Sequence, residues 1–269
     1  LVEIADQIAS AVQNNHLQYV QNLQTLIERE FQLARQIQKT FLPEKLPVIP
    51  GYDIAVQWQT ARDVGGDFYD VFEVKPGYTG LIIADVSDKG LPASLYMTVS
   101  RTLIRAIALE NISPAQTLER VNHLLQLDST QGFFVTVFYG VLEQATGNME
   151  YCIAGHNPPY FLSFARKKVS QFPRGGIALG AMDPIHLRNE RIQFEPGDAC
   201  ALFTDGITET FNPHGMPFGN QRFERSLAKG INVNAQELLD IVERDVEAFR
   251  DCAPTADDTT FLVIKRLNE

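Results

Sequence analysis

Cysteine is scarce in this chain of 269 residues. Cys152, Cys200 and Cys252 lie about fifty residues apart with no CxxC pair. That usage excludes a disulfide framework and a cysteine zinc site, and it fits a reducing compartment. Long apolar runs are absent too. Nothing approaches the roughly 20 residues of a spanning helix, and no basic-then-apolar leader opens the sequence. A cytoplasmic protein with no membrane partner is therefore expected. Basic side chains are in the minority, 23 against 33 acidic, for a net charge of -10. Such a balance disfavours nucleic acid and anionic membrane surfaces as partners. The short run Arg166, Lys167 and Lys168 reads as a hairpin turn. Of the five histidines, His16, His123, His186 and His214 show no partner pattern that suggests chemistry.

What is present is a hydrophobic content of 45 %, enough to fill a real core, in a length that fits one large layered domain plus an extra segment. The chain begins with Leu1, so the expectation is a fragment of a longer protein with material upstream. Residues 1 to about 42 contain no Gly or Pro and are rich in Gln, Leu, Ile, Glu and Ala, which predicts one long helix or two abutting ones. Val20, Ile27, Ala34 and Phe41 recur every seven residues, with Leu23 and Ile37 at intervening seam positions and Glu30 interrupting. This spacing fits a parallel dimeric coiled coil; it equally fits an amphipathic helix packed on its own domain. Pro43, Pro47 and Pro50 end the helical region.

Beyond that boundary the pattern changes to short β-type runs broken by turn residues. Strands are predicted at Tyr52 to Trp58, Leu81 to Ala84, Phe133 to Leu142, Met149 to Ile153, Pro159 to Phe164, Ala199 to Phe203 and Phe261 to Lys265. Helices are predicted at Pro92 to Glu110, at Pro114 to Leu127 with Ser113 as N-cap, and at Ala235 to Phe249. Strand blocks with inserted helices, without regular βα alternation, indicate an α+β layered domain.

Four acidic clusters stand at the ends of apolar strand-like runs: Gly65-Gly66-Asp67-Phe68-Tyr69-Asp70, Ile83-Ala84-Asp85-Val86-Ser87-Asp88, Phe203-Thr204-Asp205-Gly206 and Ala256-Asp257-Asp258-Thr259-Thr260. Any one alone is explained by turn capping. Four together point elsewhere, because gathered carboxylates repel unless cations neutralise them. Oxygen-only ligands suit hard cations, Mg²⁺ or Mn²⁺ before zinc.

The ordered set GGDFYD, IADVSDKG before a helix, AGHNPPY, LFTDGITE and DDTTFLVI resembles the metal-dependent PPM (protein phosphatase 2C-like) superfamily. The likeness is to its bacterial branch of stage II sporulation protein E and sigma-factor regulatory phosphatases, and it covers roughly residues 35 to 267. The resemblance implies an αββα sandwich of two antiparallel sheets flanked by helices, with two Mn²⁺ or Mg²⁺ ions at one end. Residues 1–45 would form a dimerising helical linker and 46–269 the phosphatase domain. Residues 4 to 24 resemble the terminal helix of a GAF sensory domain running into such a linker.

Carried over by position, the resemblance makes Asp85 the acid bridging both metals, with the carbonyl of Val86 on one of them. Asp67 becomes the first-motif acid, and Asp205 with Asp257 or Asp258 the acids on the second metal. Arg62, five residues before Asp67, stands where relatives place a phosphate-binding arginine; a guanidinium fork suits a phosphate monoester. An exposed arginine paired with a neighbouring acid is the alternative. The implied reaction is direct hydrolysis of a phosphoserine or phosphothreonine by a metal-activated water. Asp88-Lys89 replaces the Gly-His of many bacterial relatives, so a histidine general acid is absent at that point; Lys89 reads as a solvated loop charge, with Lys89 or a metal-bound water as proton donor to the leaving group the alternative. His156 reads as structural. The implied substrate is a phosphorylated regulatory protein of the anti-sigma-factor antagonist type. A phosphoprotein-binding scaffold without turnover is the competing reading.

Overall fold

In a computed structural model, residues 2–128 and 132–268 are described. A 40-residue helix, α1 (Val2–Phe41), leads into two five-stranded sheets with every neighbouring pair antiparallel. The first sheet orders β1 (Tyr52–Gln59), β10 (Thr259–Arg266), β9 (Ala199–Phe203), β6 (Tyr160–Ser163) and β7 (Lys168–Gln171). The second orders β2 (Phe68–Lys75), β3 (Tyr78–Val86), β4 (Val135–Glu143), β5 (Asn148–Ala154) and β8 (Glu190–Gln193).

Alternation along β10 explains how the layers stack. Leu262 and Ile264 enter the core between the sheets, whereas Phe261 and Val263 enter a second core under α5 (Gly219–Lys229) and α6 (Ala235–Arg250). Both faces of its middle are dry, so Phe261 to Ile264 read as a continuous apolar run with no polar alternation. On the other side, α2 (Leu91–Ala108) and α3 (Pro114–Asp128) cover the second sheet with Met97, Ile104, Leu118, Val121 and Leu125. The result is the expected four-layer α+β sandwich.

Predicted and observed elements coincide closely where the apolar signal was strong, as at β9, and α3 starts at Pro114 behind Ser113. Strands β2, β7 and β8 and helices α4 (Asp205–Thr208) and α5 were not expected. Strands β7 and β8 are four residues long, largely exposed, and lie at sheet edges, where half of each strand's ladder bonding is absent and a buried pattern is not needed.

Among the described residues, helix α1 touches the body near its end. Phe31, Ala34, Gln38 and Phe41 form its body-facing stripe, while Leu17, Leu23, Leu26, Ile27, Leu33 and Ile37 are exposed. The packed-helix alternative therefore accounts for its last three turns alone. Among the described residues, no helix is long and apolar enough to cross a membrane.

Candidate metal centre

Antiparallel pairing is what collects the four clusters. The start of β2 lies beside the end of β3, with Phe68 opposite Ala84, so Asp67 comes next to Asp85. The start of β10 lies beside the end of β9, with Phe261 opposite Phe203, so Asp257 and Asp258 come next to Asp205. Both strand ends sit at one rim of the sandwich, and Asp205 opens the short helix α4 there. Arg62 lies in the preceding loop, exposed and without an ion-pair partner among the described residues.

Asp67 is 1 % exposed. One of its oxygens accepts from both Thr204 Oγ1 at 2.6 Å and Thr260 Oγ1 at 2.8 Å. Trp58 Nε1 donates to its backbone carbonyl at 3.0 Å. The two final-motif acids differ sharply. Asp258 accepts Ala61 N–H and Gly66 N–H, each at 2.8 Å, and so pins the loop that carries Asp67. Asp257 is more open, and its carboxylate meets Lys89 Nζ at 2.7 Å. Lys89 also donates to the Ala256 carbonyl at 3.1 Å, so this exposed loop charge is tethered to the final motif. Asp88 beside it has φ +76°, a left-handed backbone that suits glycine. The close approach also demands Gly65, where a Cβ would stand 2.4 Å from Asp258 Oδ2.

Electrostatically the site is underneutralised. Burial, followed by the charge of Asp85, raises the Asp67 carboxyl well above the usual carboxylate range. Burial and then Asp205 raise Asp85 to about 7; burial and then Glu209 raise Asp205 to about 6. Burial raises Asp258 as well. Among the described residues, Lys89 is the one basic side chain in ion-pair contact with these five acids. Crowded carboxylates that resist ionisation, with oxygen donors only, are a set that divalent hard cations fit. Among the described residues, however, no group of three or more His, Cys, Asp or Glu side chains is arranged to hold an ion by itself. Water or other oxygen donors must complete any shell, as Mg²⁺ commonly requires.

His156, 4 % exposed, sits close behind this rim. Its Nδ1 lies 2.9 Å from Thr136 Oγ1, which donates to the Asp85 carbonyl at 3.3 Å. Burial lowers the imidazole to about 4, so it is neutral and supports structure. Three contributors were missed in the sequence. Thr204 and Thr260 stood inside motifs read only for their acids, and Gln38 is a polar residue in a stripe otherwise made of Phe31, Ala34 and Phe41. That interruption was the available signal.

The family model for "Stage II sporulation protein E (SpoIIE)" matches residues 75–267. The chain is 28 % identical over 264 residues to "Protein IcfG" of Synechocystis, covering 88 % of this chain and 41 % of that protein. It therefore spans less than half of that relative's length. It is 26 % identical over 266 residues to the phosphoserine phosphatase RsbU of Bacillus subtilis, covering 99 % of this chain and 78 % of that protein. In structure it is similar to the SiaA-PP2C domain of Pseudomonas aeruginosa, with a TM-score of 0.81 at 21 % identity, over 90 % of this chain and 98 % of that one. That likeness establishes the PP2C fold.

Proposed function

The chain belongs to the stage II sporulation protein E family, and from that footing we propose that it is a cytoplasmic, metal-dependent serine/threonine protein phosphatase. The observation that carries this reading is the convergence of Asp67, Asp85, Asp205, Asp257 and Asp258 at one rim with too little positive charge to neutralise them. In this proposal Asp67, Asp85, the Val86 carbonyl, Asp205 and Asp257 hold two ions, Mn²⁺ or Mg²⁺. Asp258, whose oxygens are occupied by Ala61 and Gly66, shapes the loop. Such ions supply charge neutralisation at phosphorus and an acidified attacking water.

The chain's own groups do the rest. Thr204 and Thr260 fix one oxygen of Asp67 and leave the other for the site. Arg62, exposed near the rim, grips the phosphate monoester before and during attack. Residues 1–45 serve as a linker at the end of a sensory domain and 46–269 as the phosphatase domain. The exposed seam of Leu23, Ile27 and Ile37 pairs two copies. A phosphorylated regulatory protein of the anti-sigma-factor antagonist type is the proposed substrate, in keeping with the relative RsbU.

Phosphate release from a phosphoserine peptide with Mn²⁺, Mg²⁺ or chelator tests the reading; activity that requires the metal and vanishes in Asp85→Asn supports it. One observation favours a scaffold that binds phosphoprotein without turnover: no group of three acids is arranged to hold an ion by itself among the described residues. Binding of a phosphoprotein without phosphate release, whether or not Mn²⁺ or Mg²⁺ is added, would select that alternative.

A further inference from the structure

Among the described side chains of α1, Gln38 alone is buried, at 3 % exposure. Its Nε2 donates to the Gly65 carbonyl at 2.6 Å, and its Oε1 accepts the Gly65 N–H at 3.2 Å. One side-chain amide thus satisfies both backbone groups of a buried glycine, as a neighbouring strand would. No side chain can be added at Gly65 itself, since a Cβ there would lie 2.4 Å from Asp258 Oδ2 and 2.7 Å from Thr60. The next residue, Gly66, donates its N–H to the same Asp258 oxygen at 2.8 Å, and its Cα faces the Val86 carbonyl so closely that a Cβ would stand 3.1 Å away. Asp67 follows directly. From Gln38, therefore, Asp67, Asp258 and Val86 are each reached within two residues of backbone.

We propose that Gln38 is the positioning residue through which the N-terminal helix sets the divalent-cation affinity of the aspartate cluster; this rests on the hydrolase reading above. The acids repel one another and are not arranged to hold an ion unaided, so their spacing depends on the loop that carries Asp67 and receives Asp258. That loop depends on Gln38. Rotating or withdrawing α1 leaves the Gly65 N–H and C=O unpaired in a buried place, and the loop relaxes with Asp67 and the Asp258 contact in train. The described part of α1 upstream is mostly exposed, so a displacement imposed there reaches the loop before Asp67 through this amide pair as well as through the packing of Phe31, Ala34 and Phe41.

The test uses the full chain carrying Gln38→Met, which keeps side-chain length and loses both hydrogen bonds. Mn²⁺ affinity is measured by calorimetry without substrate, beside thermal melting. Lys265→Met is the control: Lys265 Nζ holds the Ile231 and Val233 carbonyls, each at 2.8 Å, near the far end of β10, so its loss destabilises the fold away from the rim. The expected result is Mn²⁺ binding weakened about tenfold or more in Gln38→Met, the scale seen when outer-shell supports of metal ligands are removed, and unchanged in Lys265→Met. Wild-type affinity in Gln38→Met, or equal weakening in Lys265→Met, overturns the proposal alone. A wild-type chain that binds no Mn²⁺ overturns the hydrolase reading, and the proposal with it.

Discussion

Asp67 and Asp70 stand three residues apart in one motif, both buried, and they have opposite fates. Asp70 is 0 % exposed and meets Arg101 Nη2 at 2.7 Å and Arg105 Nη1 at 2.9 Å, two cations brought by α2. Asp67 meets two threonine hydroxyls from the facing sheet, with Asp85 and Asp258 as its charged neighbours. The odd spacing explains the split: successive side chains of a strand point to opposite faces, so one acid turns toward the covering helix and the other toward the space between the sheets. An acid supplied with its own cations is part of the architecture. One surrounded by acids keeps its charge uncompensated within the fold.

Removing an acid on each side of this comparison separates the two roles. Asp85→Asn has the largest expected effect, a fall of about 10³-fold in metal-dependent phosphate release, in line with the loss of a group that stabilises transition-state charge. Its metal-free urea midpoint should hold or rise, because a repelling charge is gone. Asp70→Ala should do the reverse, costing about 3 kcal/mol in urea unfolding, since the partly buried Arg101 is left without its partner. Equal stability losses in both variants would erase the distinction.

The pH dependence sharpens it further. Asp85 and Asp205 are raised to about 7 and about 6 from an ordinary 3.8, so between those values the folded chain holds more protons than the unfolded one. Stability of the metal-free protein should therefore fall as pH climbs from about 4 to about 7 and then level. Saturating Mn²⁺, which favours the ionised carboxylates, should flatten the fall. Urea midpoints at pH 5 and pH 8, with chelator and with Mn²⁺, check both halves of this expectation. The smallest effect is expected at Lys89→Gln. Its pair with Asp257 is partly exposed, so stability should change by less than about 1 kcal/mol, with Mn²⁺ bound slightly more tightly. A large loss of turnover at unchanged Mn²⁺ affinity would instead make Lys89 the proton donor to the leaving group.

The strands of the core and the order of the acid motifs were legible because both depend on local pattern. Runs such as Ala199–Phe203 and the Phe261–Ile264 stretch of β10 are apolar and buried on two faces. Strand β2 escaped notice because Asp70, Glu73 and Lys75 interrupt its apolar run; Asp70 is tolerated there only by virtue of arginines on another element. Similarly, nothing local separated Asp257 from Asp258, neighbours in sequence, of which one bonds Lys89 and the other two backbone amides.

The amino-acid sequence by itself determined the layered α+β class, the long leading helix and which acids were available, since periodicity and residue type act over a few residues. Only the tertiary structure decided which acids are already neutralised, which threonines hold Asp67, and that Gln38 on the leading helix grips the loop beside them. Those outcomes depend on partners 27 to 193 residues away, and such pairings are set by sheet register and helix docking.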